Sequence, residues 1–122
     1  MSGWIGVDFD GTLSHYDPDG GWRPPGVYGA PIPLMVERVK HWLAHGVEVR
    51  IVTARAQKTP YCTMSHEDIV KTIQDWCEEH VGQRLAVTNE KDLHMIELWD
   101  DRAVQVVINT GLRADSLTRL HD

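Results

Sequence analysis

The sequence predicts an α/β fold, a central and mainly parallel sheet with helices on its faces. Three observations predict it. Short apolar runs alternate with segments of helical periodicity, glycines follow the helical segments, and acidic or hydroxyl residues stand directly after successive apolar runs. With 122 residues the chain has room for one domain, 1–122, around one core.

Residues 4–8, Trp4-Ile5-Gly6-Val7-Asp8, read as a buried central strand that stops at an acidic turn. The character then changes from 14 to 31. Asp17-Pro18-Asp19-Gly20-Gly21 is turn chemistry, and Trp22-Arg23-Pro24-Pro25-Gly26 excludes a regular helix. So long a loop in a compact domain predicts a functional excursion, here a hairpin-like flap. After Pro33, Met35, Val36, Val39, Trp42 and Leu43 recur at helical spacing, with Gly46 where a left-handed cap falls. Val47-Glu48-Val49-Arg50-Ile51-Val52-Thr53 reads as a second strand. Ser65 with Asp68 three positions later resembles a capping box, opening a helix through Ile69, Val70, Ile73, Trp76 and Cys77 to a stop at Gly82. Leu85-Ala86-Val87, Ile96-Glu97-Leu98-Trp99 and Val104-Gln105-Val106-Val107-Ile108 complete a predicted five-stranded sheet. The stretch after Thr110, with Leu112, Leu117 and Leu120, reads as a short terminal helix.

Composition narrows the function. Apolar residues at 42% and charged residues at 25% are ordinary for a globular protein, and no apolar run is long enough to cross a bilayer. Met1 leads into Trp4-Ile5-Gly6-Val7 without a basic segment or cleavage site, which reads as a mature cytoplasmic start. Cys62 and Cys77 are too few for a disulfide framework and suit a reducing compartment. A net charge of -6 argues against a broad electrostatic grip on nucleic acid or anionic lipid.

In parallel sheets ligands gather at the carboxyl ends of the strands. Those ends carry Asp8 and Asp10, then Thr53, then Lys91, then Asp100 and Asp101. Each has an ordinary explanation alone, as turn residue or surface charge. Their succession is what points to chemistry. His41 and His45 share a helix face at zinc spacing, but without the Glu of a His-Glu-x-x-His site they read as a solvated pair, and Cys62 with His66 is no better supplied.

This order resembles the haloacid dehalogenase superfamily of phosphohydrolases. Asp8-Phe9-Asp10-Gly11-Thr12 matches its first motif, Ile51-Val52-Thr53 its second, Lys91 its third and Leu98-Trp99-Asp100-Asp101 its fourth, from about residue 4 to 108. The resemblance implies a Rossmann-like three-layer sandwich. The gap from Lys91 to Asp100 holds about two helical turns at most and neither insertion point has room for a cap domain, which is the pattern of the small capless members.

The resemblance further implies a Mg²⁺-dependent phosphomonoester hydrolase working through an aspartyl-phosphate. Asp8 would be nucleophile and metal ligand, and Asp10 general acid and base with its backbone carbonyl on the metal. Thr53 and Lys91 would hold the transferring oxygens, with Asp100 and Asp101 on or near Mg²⁺. Gly11 and Thr12 would contact substrate; Arg55 and Arg102 lie near the same rim as candidate contacts to a second phosphate or a leaving group, although an arginine beside an acidic cluster more often serves as a structural ion pair. A cation also explains why three like charges tolerate each other. Trp22 in the flap is a candidate cover for substrate.

Two other readings stand beside this one. A signalling receiver domain uses the same residue types, but its acidic pair follows the first strand, whereas here the pair comes last. A non-catalytic binding module of the same fold is the other. Among phosphatase substrates, a polynucleotide end, a nucleotide and a small metabolite all remain open; nucleic acid enters only as a substrate, and the oligomeric state is not legible.

Overall fold

The computed structural model describes residues 2–59 and 61–115. Four parallel strands form the sheet: β1 (Trp4–Val7), β2 (Glu48–Val52), β3 (Ala86–Thr88) and β4 (Met95–Trp99), in spatial order β3-β2-β1-β4. Helix α1 (Pro33–Ala44) joins β1 to β2, and α2 (His66–His80) joins β2 to β3. No helix among the described residues is long and apolar enough to cross a membrane.

Both helices begin and end for local reasons. Pro33 opens α1, where its missing N–H costs nothing. At the other end Gly46 takes φ 77°, and the N–H groups of Gly46 and Val47 return to the carbonyls of Leu43 and Trp42, a Schellman closure. The Ser65 hydroxyl caps α2 by accepting from the Asp68 N–H at 3.1 Å, as the sequence suggests.

The two crossovers step the same way across the sheet, so right-handed connections place both helices on one face. That face carries Ile5, Val7, Val49 and Ile51, which form one buried cluster with Met35, Val36 and Val39 of α1 and Ile69, Ile73 and Cys77 of α2. Among the described residues the expected third layer is not formed by a helix. On the opposite face Arg50 lies over the Trp4 ring at 4.4 Å, and the short β3–β4 connection sends Asp92 to accept from the Trp4 indole N–H at 2.9 Å. Six residues, 89–94, cross back to β4 and leave no length for a helix.

The expected fifth strand is also absent among the described residues. Residues 104–108 bend back on the following segment instead, through an isolated antiparallel bridge between Val106 and Arg113 and a turn with Asn109 and Gly111 at positive φ. Val104, Val106 and Ile108 are exposed, so the apolar run that suggested a strand has no sheet partner to bury it. Of the expected terminal helix, Leu112 is exposed and not helical, while Leu117 and Leu120 lie outside the described residues.

The flap, 14–31, is closed at its base rather than zipped along its length. His15 N–H meets the Ala30 carbonyl, Ile32 N–H meets that of Leu13, and Ser14 bridges Pro31. Its returning limb is tied to α2 by the Trp76 indole donating to the Gly29 carbonyl and by the Tyr28 hydroxyl against that of Thr72. Phe9 seals this join, edge-on to both Tyr28 and Trp76 at 5.0 Å. The tip, with Trp22, is left over the ends of the strands.

Candidate functional site

Strand register sets the site. Val7 is level with Ile51 on one side and with Trp99 on the other, so the chain leaves all three strands at one rim. The Asp8 N–H donates to the Trp99 carbonyl at 2.8 Å, which brings Asp8 beside Asp100 and Asp101 despite their distance in sequence. One oxygen from each of these three carboxylates lies within 4.8 Å of the others.

Residues 9–14 form a tight turn that makes this approach feasible. The N–H groups of Leu13 and Ser14 both reach the Phe9 carbonyl, and Gly11 adopts φ 88°. A β-carbon on Gly11 would sit 2.7 Å from Asp101 Oδ2, so a side chain there would strain the backbone and push the Asp101 carboxylate aside. Thr12 is buried, with its hydroxyl 3.3 Å from both Asp8 Oδ2 and Asp101 Oδ1 and accepting from the Asp101 N–H at 3.1 Å. Thr12 therefore positions two of the three acids.

The grouping is electrostatically strained. Burial, a hydrogen bond with the Asp101 carboxyl and repulsion from Asp100 together push the Asp8 carboxyl up to about 7. Three carboxylate oxygens gathered this closely could hold a metal ion.

Asp10 lies apart from the three. Its carboxylate receives two hydrogen bonds from Arg55, Nε to Oδ2 at 2.7 Å and Nη2 to Oδ1 at 3.0 Å. Arg55 is 1% exposed, its guanidinium 4.1 Å from the Trp22 ring centroid and 5.0 Å from that of Tyr28. Of the two roles the sequence allows Arg55, a substrate contact or a structural ion pair beside the acidic cluster, the structure shows the ion pair, with Arg55 turned inward as the clamp on Asp10. The cause is the short 3₁₀ turn Ala54–Ala56, started by the Thr53 hydroxyl accepting from the Arg55 N–H at 3.2 Å.

A cleft of about 290 Å³ opens beside these groups, lined by Asp8, Asp10, Thr53, Asp100, Asp101 and Arg102, with Asn89 at one side and Tyr16 and Trp22 of the flap at another. Five of the strand-end positions read from sequence thus meet at one place. Lys91 does not join them: it is exposed, lies outside the cleft lining and has no ion pair with the carboxylates. Asn89, directly after β3, stands there instead, a residue the sequence reading passed over because it ended that strand one position early, at Val87. Tyr16 was missed as well; nothing in its local pattern distinguishes it from loop. His41 and His45 are exposed, with ring centroids 4.3 Å apart, and no third ligand gathers near them among the described residues.

A parallel α/β fold with an acidic cleft at the carboxyl ends of its strands is thus the class of protein described. No family model and no curated protein matches the chain. A solved structure of a conserved protein coded by a locus of Bacteroides thetaiotaomicron is similar, at 19% identity and a TM-score of 0.56, over 85% of this chain and 79% of that one. At that identity the likeness bears on the fold alone.

Proposed function

We propose that the protein is a metal-dependent phosphomonoester hydrolase of the haloacid dehalogenase type, with Asp8 as nucleophile. The observation that carries this reading is the convergence of Asp8, Asp100 and Asp101 within 4.8 Å, beside a second aspartate that is separately held. Asp8, Asp100 and Asp101 would hold Mg²⁺, which when bound neutralises the carboxylates and the substrate's charge.

The chain's own residues divide the remaining work. An Asp8 oxygen bonds to phosphorus as the ester P–O bond breaks, and Asp10 in its protonated form gives the leaving oxygen its proton. Asp10 then takes a proton from water as that water attacks phosphorus and the bond to Asp8 breaks. Arg55 donates to both Asp10 oxygens and fixes the carboxylate beside the cleft, so Asp10 carries a proton only when it gives up one of these two hydrogen bonds. Thr53, buried at the end of β2, lines the cleft where the phosphoryl oxygens would lie. Lys91, exposed and outside the cleft lining, would have to move toward Asp8 to supply the countercharge the resemblance assigns to it.

Phosphate release from an aryl phosphate with Mg²⁺ tests the reading. Turnover is expected in the native chain and nearly none in Asp8→Asn. A phosphorylated protein that persists for minutes without turnover would favour the receiver reading, and full activity of Asp8→Asn would remove the mechanism.

A further inference from the structure

Beside the acidic cleft lies a second hollow of about 240 Å³, walled by Trp22, Ala54, Arg55, Gln57 and Tyr61. Trp22 and Ala54 border both, so the hollows adjoin across those two residues. Their chemistry differs sharply. The cleft offers carboxylates and a hydroxyl, whereas the hollow offers two aromatic rings and a methyl group above a guanidinium.

These rings are exposed yet held in place. Trp22 is 49% and Tyr61 39% exposed, while Trp4 and Trp76 are buried. One contact of the Trp22 ring is the Arg55 guanidinium and another is Tyr16, at 6.1 Å between centroids. The Tyr61 hydroxyl donates to the Arg55 carbonyl at 3.4 Å. Both aromatics are therefore positioned by the residue that clamps Asp10. Arg55 also keeps a buried donor, Nη1, with no acceptor. Ordered, exposed aromatic surface adjoining the acidic cleft is the composition of a ligand subsite rather than of incidental loop exposure, while the Nη1 donor is sealed from solvent and takes no part in the surface a ligand meets.

We infer that this hollow is a leaving-group subsite that takes the flat aromatic ring of a phosphate monoester, an assignment resting on the phosphatase reading for the chemistry next door. Its volume admits one ring system. Joined to the cleft, it reaches the range of roughly 300–1,000 Å³ usual for small-molecule sites. A saturated alkyl or sugar group of the same size fills the space but forgoes the ring-on-ring contacts with Trp22 and Tyr61.

Benzyl phosphate and cyclohexylmethyl phosphate separate these cases, since their leaving alcohols are similar in acidity and differ in flatness. With Mg²⁺ the benzyl ester is expected to have the higher kcat/KM by about 3- to 10-fold. Trp22→Ala and, independently, Tyr61→Ala are expected to bring the ratio near one. The same comparison is made without turnover, by titrating the intact protein with the benzyl and cyclohexylmethyl phosphonates. Benzylphosphonate should bind more tightly by a similar factor and shift the indole N–H resonance that is missing in Trp22→Phe. Equal affinity of the two phosphonates, or binding of neither, overturns the subsite. Selective binding without hydrolysis of either ester upholds the subsite and overturns the phosphatase reading instead.

Discussion

In metal-free solution the protein should lose stability as pH rises from about 4 to about 7, and Mg²⁺ should restore it. Asp8 is the cause. Its carboxyl ionises at about 3.8 in an unfolded chain and is held up to about 7 in the fold by burial, by the Asp101 carboxyl and by the Asp100 charge. Below both values it is protonated in either state and has no effect. As pH rises between them the unfolded chain ionises first, so the folded state holds the extra proton and is progressively disfavoured; above about 7 the loss is complete. A gap of this size corresponds to about 4 kcal/mol, and partial solvent access to Asp8 brings the expected effect to about 2 kcal/mol. For a domain of this size that is roughly 5–10 °C in Tm. Mg²⁺ present at about 100 times its dissociation constant adds about 2.7 kcal/mol at pH 8, but at pH 5, where about one Asp8 in a hundred is ionised, the same concentration adds about 0.4 kcal/mol. Thermal melts with chelator and with Mg²⁺ at both pH values, for the native chain and Asp8→Asn, measure all of this. A Mg²⁺ shift that is equal at pH 5 and 8, or that survives in Asp8→Asn, would refute the argument.

Three further outcomes are expected. Gly11→Ala should cost about 1–2 kcal/mol from its positive φ. It should also weaken Mg²⁺ binding by roughly 10- to 100-fold by displacing Asp101, read by denaturant melts and calorimetry. Arg55→Met should cost about 3–5 kcal/mol, because it leaves the Asp10 carboxylate without its buried partner. Most of that loss should return in the Arg55→Met, Asp10→Leu double variant, and urea denaturation without metal checks it. Lys91→Ala should change stability by less than about 0.5 kcal/mol, since the side chain is exposed, while lowering kcat by about 10²-fold or more. An unchanged kcat would assign the countercharge elsewhere, with Arg102 on the cleft as the next candidate.

How far the sequence was legible follows from which features are local. The helices could be read because their evidence is contained within them: the α1 stripe of Met35, Val36 and Val39, the Gly46 closure and the Ser65 cap all act within a few residues. Gly11 carried a local signal too, although its second reason, the Asp101 carboxylate against its α-carbon, comes from far along the chain. The run at 104–108 failed because an apolar β-branched segment becomes a strand only where a neighbouring edge receives it, and this one pairs with Arg113 instead.

The site divides in the same way. Residues that leave the strands at their ends were found, because register alone gathers Asp8, Thr53 and Asp100 at one rim. Side-chain direction beyond those ends was not legible. Arg55 lies only two residues past Thr53, yet a single 3₁₀ turn reverses it from the solvent side of the rim to a buried place beneath Trp22. That reversal links the flap to the acidic rim. The same guanidinium orients Asp10 and supports the ring of Trp22, so the flap tip and the proposed proton carrier share one contact residue. A motif can specify which residues reach the rim, but the coupling between them exists only once Arg55 has been packed.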